Sequence, residues 1–162
     1  AGITTVLNEL AKQGYVVYPE AARVFIDQEM AKGKSLKEIR GNEAEFQRKV
    51  LRMKIETEDS LPPEQIVFFD RGIPDSITYY QLCGLDTVSV KKESQKRRYK
   101  GVFLLEQLPF EKDYARTENE ELAGDLSRLI KKAYSDLGYD IIFVPKMPIK
   151  KRIEFIIGNL GR

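Results

Sequence analysis

Ile66-Val67-Phe68-Phe69 is followed at once by Asp70-Arg71-Gly72-Ile73-Pro74-Asp75-Ser76. Four consecutive apolar residues read as a strand buried in a parallel sheet. The strand ends in a carboxylate and a guanidinium, so both charges fall at its carboxyl edge. Gly72 permits a tight turn, and Asp75 or Ser76 suits the cap of a following helix. Three more runs have the same form: Tyr15–Tyr18, Val102–Leu105 and Tyr139–Val144.

Helix-patterned sequence lies between and after these runs. Leu122, Leu126, Leu129, Ile130, Ala133 and Leu137 follow one buried helical stripe, and Ile149, Ile153, Ile156, Ile157 and Leu160 follow another. Pro148 suits the first turn of that last helix. Asn42 is placed to cap a helix beginning at Glu43, and Leu61-Pro62-Pro63 ends it. Strand–helix alternation of this kind predicts a three-layer, doubly wound parallel α/β sheet in a single domain over residues 1–162. A ligand crevice is then expected at the carboxyl ends of the strands.

The bulk numbers narrow the function classes. The 162 residues carry a net charge of only +2, which argues against a large polyanion-binding surface. Lys91 to Lys100 is a dense basic run, read as a solvated helix face or loop before a nucleic-acid patch. With no histidine, imidazole acid–base catalysis is absent and most zinc designs are excluded. The single cysteine, Cys83, excludes an intrachain disulfide, reads as a buried small side chain and suits a reducing cytoplasmic compartment. No apolar stretch approaches membrane-spanning length.

Ala1-Gly2-Ile3-Thr4-Thr5-Val6-Leu7 reads like the tail of a G-x-x-x-x-G-K-[ST] phosphate loop entering a helix. Gly2, Thr4 and Thr5 fall where backbone amides would hold phosphates at a helix N-terminus. Ile3 occupies the place of the lysine. The strand that would launch such a loop, and the start of the loop itself, are expected to be missing from these 162 residues. Without that strand, a slot with open backbone groups is expected in the middle of the sheet. An alternative register gives Ala1–Thr4 to the strand and starts the helix at Thr5.

Several side chains are candidates for chemistry. Glu20, just past the second expected strand, is placed to accept a proton from an attacking hydroxyl. Arg23, three residues later, could grip a phosphate or a substrate carboxylate; an exposed Glu–Arg pair explains both residues equally well. Asp70 after its apolar run has the form that orients Mg²⁺ through its waters, with Thr4 or Thr5 as the second contact, and Arg71 would clamp a phosphate. Asp75 is either a helix cap or a substrate contact. Residues 107–119 read as a lid that closes over a nucleotide and delivers Arg116 to the transferring group. Pro145-Lys146-Met147-Pro148 would lie beside the adenine, or simply turn the chain.

Together these segments resemble a family of small phosphate-loop ATPase-like proteins, sometimes filed as an AAA-type domain and related to the ribosylnicotinamide kinase domain of NadR-type proteins. The likeness covers nearly the whole chain and is most distinctive at Phe68–Ser76. A similarity to deoxynucleoside kinases implies that Glu20 acts as base, that Asp70-Arg71 is the acidic–Arg pair, and that Gln47 reads the acceptor. The resemblance implies ATP and Mg²⁺, catalytic Glu20, Arg71 and Arg116, nucleotide contacts from Gly2, Thr4, Thr5 and Lys146, substrate contacts from Arg23, Gln47 and Asp75, and metal contacts from Thr4 and Asp70. The expected activity is phosphoryl transfer to a small hydroxyl-bearing acceptor such as a nucleoside. The alternative is a nucleotide-binding switch or slow ATPase that serves a protein partner.

Overall fold

The four apolar runs form two separate pairs of parallel strands. In the computed structural model, which describes residues 2–106 and 116–160, β1 (Val16–Tyr18) pairs with β2 (Val67–Phe69), and β3 (Val102–Leu105) pairs with β4 (Ile141–Val144). The registers run from Val16 opposite Val67 to Tyr18 opposite Phe69, and from Val102 opposite Ile141 to Leu105 opposite Val144. Eight helices fill the intervals: α1 (Ile3–Lys12), α2 (Ala21–Ala31), α3 (Leu36–Arg40), α4 (Glu43–Asp59), α5 (Asp75–Leu82), α6 (Val88–Gln95), α7 (Arg116–Asp136) and α8 (Ile149–Gly158).

Local sequence explains where most helices begin. Asn42 accepts a hydrogen bond from the Glu45 amide at 3.0 Å, as the cap of α4 expected from sequence. Ser35 and Glu38 form a reciprocal capping box that starts the short α3. Pro148 stands at the entry to α8. At α5 the outcome differs. Pro74 holds the cap position, and Asp75 is the first helical residue, its carboxylate turned back to the Gly72 amide rather than onto the helix start. Ile3 and Thr4 lie in the first turn of α1, so the register that assigned them to a strand is not adopted.

Packing comes in three clusters. Val6, Leu7 and Leu10 of α1 meet Val144 of β4 and Ile153 and Ile156 of α8, which ties the two strand pairs together along one side. Leu51, Ile73, Ile77, Tyr80, Val90 and Ala133 join α4 through α7, and Ile39, Phe46 and Val50 form a third group beside α2.

Between β2 and β3 lies a slot of about 1280 Å³. Ile3, Val6, Leu10, Ile55, Ile130 and Ile156 are among the residues that line it. The slot changes one expectation. β2 and β3 are half-buried along their whole length because their inner edges line the slot and not another strand. β1 is half-buried too, and β4 runs from half-buried Ile141 and Ile142 through exposed Phe143 to buried Val144. Cys83 is likewise only half-buried.

In the basic run Lys91, Lys92, Lys96 and Lys100 are exposed, as a solvated face requires, while its two arginines are tied down. Arg97 pairs with Glu93, Glu58 and Asp59, and Arg98 donates to the Leu137 and Gly138 carbonyls while lying 4.0 Å over the Tyr139 ring. These arginines hold α4, α6 and the β4 approach together. Among the described residues, no helix is long and apolar enough to cross a membrane.

Candidate functional site

Parallel pairing brings the carboxyl ends of β1 and β2 side by side, and the two polar segments that follow them meet. Glu20 stands two residues past β1, at the N-cap of α2; Asp70 and Arg71 follow β2 directly. The Asp70 amide donates to the Tyr18 carbonyl at 3.0 Å, so strand pairing itself sets the position of the charged pair. Arg71 Nε lies 3.4 Å from Glu20 Oε2, and its guanidinium reaches Asp75 Oδ1 at 3.6 Å. Its charge centre also sits 5.9 Å from the centre of the Tyr79 ring.

Beneath this group is a small cavity of about 110 Å³, lined by Glu20, Phe46, Gln47, Lys54, Arg71 and Tyr79 among others. Gln47, only 5% exposed, donates to Glu43 at 3.0 Å and presents an amide to the cavity wall. Lys54 is 7% exposed and donates to the Gly72 carbonyl at 3.2 Å and to Ser76 Oγ at 2.8 Å. Burial pushes its ammonium below the ordinary lysine range, against the opposing pull of the Asp75 charge. The cavity thus gathers two aromatic rings, a carboxylate, an amide and a guanidinium, partners for both donors and acceptors of a polar group.

The structure therefore brings Glu20, Gln47, Arg71 and Asp75 together. It leaves Arg23 exposed on α2, outside the lining of either cavity. Gly2, Thr4 and Thr5 are exposed at the start of α1, whereas Ile3 faces the slot that Asp70 also lines. Lys146 is exposed after β4, with its backbone amide donating to Glu106 at 2.7 Å. Arg116 opens α7, but its side chain lies outside what is described, as do residues 107–115 of the expected lid.

Sequence reading missed Lys54 and Tyr79, and both left a signal. Lys54 falls seven residues after Gln47 on the buried face of α4 that also carries Phe46, Val50 and Leu51. Tyr79 is one helical turn past Asp75.

Asp70 has the clearest fit to a metal. Its Oδ1 is buried without a hydrogen-bond partner, which leaves a carboxylate lone pair free for a cation or its water shell. No group of three or more metal-binding side chains occurs among the described residues. Such a cation would then be held by one carboxylate, waters and ligand oxygens, the habit of Mg²⁺.

Burial, and next the Glu20 charge, lifts the Asp70 carboxyl above its usual range. A carboxyl raised by folding binds protons more readily in the folded state, so its ionised form opposes folding near neutral pH. That penalty fades as pH falls through the raised value. Asp70→Asn should accordingly raise the melting temperature of the ligand-free protein by a few degrees at pH 7, by less at pH 5, and remove any Mg²⁺ dependence of nucleotide binding. Unchanged Mg²⁺ dependence would exclude Asp70 as the metal contact.

The chain matches the family model described as AAA domain over residues 1–152. Comparison with the curated proteins and with the solved structures gives no match.

Proposed function

This chain belongs to the AAA domain family, a class of nucleotide-binding P-loop proteins, and from that premise we propose that it is a Mg-ATP-dependent phosphotransferase acting in the cytoplasm on a small hydroxyl-bearing acceptor. The observation that carries the reading is Glu20 and Arg71 facing each other 3.4 Å apart at two adjacent strand ends, beside a small cavity that opening of the Arg71 side chain would enlarge. A plain ATPase needs no such pocket beside the phosphate site. The resemblance of the sequence to the ribosylnicotinamide kinase domain of NadR-type proteins suggests a nucleoside or ribosyl compound as the acceptor.

In this reading Glu20 takes the acceptor's proton, and Gln47 and Asp75 orient the acceptor in the pocket. Arg71 leaves its carboxylate partners to meet the transferring phosphoryl group, with Arg116 approaching from the lid. The free amides at Gly2, Thr4 and Thr5 hold phosphate oxygens at the positive end of α1, and Lys146 borders the base. Thr4 and Asp70 would hold Mg²⁺. That ion supplies neutralisation of phosphate charge and alignment of the oxygens. Because Ile3 stands in the lysine's place, the remaining charge falls to the two arginines.

The finer architecture we infer is a three-layer P-loop NTPase sheet with a fifth parallel strand in the slot between β2 and β3. Unpaired strand edges facing each other across a slot leave rows of N–H and C=O groups without strand partners, and one inserted strand satisfies both. Its carboxyl end would lead through a phosphate loop to Gly2. Protein made from the complete gene should then have an intact mass above the 18.7 kDa of these 162 residues. A mass of 18.7 kDa would mean that the polypeptide carries no such strand.

The function is tested by ADP formation from Mg-ATP, alone and with a panel of nucleosides and ribosylated pyridines. Turnover that rises sharply with one acceptor supports the kinase. Slow turnover indifferent to every acceptor would replace it with a switch-like ATPase serving a protein partner.

A further inference from the structure

Arg71 has φ +70°, the only positive φ of a non-glycine residue among those described. Residues with a Cβ resist that region, so the surroundings must impose it. The restraint lies on the next two peptide groups. The Gly72 amide donates both to Asp75 Oδ2 at 2.9 Å and to the Tyr134 hydroxyl at 3.1 Å, and the Ile73 amide donates to the Tyr99 hydroxyl at 2.9 Å. Each hydroxyl passes its own proton onward: Tyr134 donates to Asp75, and Tyr99 donates to Glu58 Oε2 at 2.7 Å. On the far side, Lys54 holds the Gly72 carbonyl.

The tyrosine rings are themselves fixed. Tyr139 contacts both, with ring centres 6.0 Å from Tyr99 and 5.8 Å from Tyr134, and its hydroxyl accepts from the Tyr99 amide at 2.9 Å. Glycine at position 72 is what lets the hydroxyls come so close: a Cβ there would lie 2.8 Å from each hydroxyl oxygen.

We propose that Tyr134 and Tyr99 are positioning residues that clamp the Gly72–Ile73 backbone and so keep Arg71 turned toward Glu20 and the pocket. Their value for turnover rests on the phosphotransferase reading; the clamp itself does not. Phenylalanine at either position keeps the ring and removes a hydroxyl that both accepts and donates.

The test is nuclear magnetic resonance on the full chain and on Tyr134→Phe and Tyr99→Phe, following solvent exchange of the Arg71 Nε–Hε proton. Expected is exchange about tenfold faster in each variant, with the backbone amides of Leu10 and Ile153 in the distant cluster unchanged. In parallel, acceptor-dependent kcat should fall while KM for ATP holds. Wild-type Arg71 exchange in a folded variant, even one with a lowered melting temperature, would reduce the tyrosines to packing and overturn the clamp. If Tyr134→Phe does not fold, Tyr99→Phe decides alone, since its hydroxyl sits on a half-buried partner. Should the wild-type protein show no acceptor-dependent turnover, the kinase reading fails while the exchange comparison still judges the clamp.

Discussion

Glu20→Gln should lower acceptor-dependent turnover by about 10²–10⁴-fold, the range that a positioned general base supplies. The substitution keeps the size of the side chain and removes its ability to take a proton. Arg71 would retain Asp75 as a partner at 3.6 Å, so the pocket should keep its shape and the melting temperature should move little. ATP binding should also be nearly unchanged, because Glu20 faces the acceptor pocket and not the start of α1. Steady-state kinetics against acceptor and against ATP separate these effects. An unaltered kcat would remove Glu20 from the mechanism.

The second large effect concerns stability. Gly72→Ala places a methyl group 2.8 Å from the hydroxyl oxygens of Tyr134 and Tyr99 and 2.9 Å from the Tyr99 ring carbon that carries its hydroxyl. Overpacking of this kind costs about 1–3 kcal/mol. Displacing the tyrosines also threatens two buried backbone hydrogen bonds, each worth roughly 1 kcal/mol. A total of about 3–5 kcal/mol corresponds to a fall of about 6–20 °C in melting temperature for a domain of this size. Because the clash is shared, Gly72→Ala should cost less in a Tyr134→Phe background than in the wild type. Strict additivity in that double-mutant cycle would show that the two residues do not meet.

The sequence carried the strands well, because four short apolar runs bounded by polar residues leave little choice of element or place. Their burial was misjudged for a reason that sequence also contained. A slot in the sheet was expected from the phosphate-loop likeness of the first residues, and a slot lies between β2 and β3. Glu20, Arg71 and Asp75 were legible because charged residues directly after parallel strands must share one edge of the sheet. Gln47 was legible only through family resemblance. The clamp was not legible: Tyr99 reaches Glu58 and Tyr134 reaches Asp75 across 41 and 59 residues. Nothing in local spacing foretells a tyrosine hydroxyl arriving at a glycine amide. Gly72 itself gave a hint, but of a tight turn and not of a close approach.

The central claim is that a phosphoryl group leaves ATP for a small molecule held beside Glu20. The most direct measurement is to incubate the protein, made from its complete gene, with Mg-ATP labelled in the γ-phosphoryl group and the acceptor panel, then to separate the products. Label on one acceptor hydroxyl, and loss of that product in Glu20→Gln, is the expected result. Label found only as inorganic phosphate, whatever acceptor is present, would contradict it.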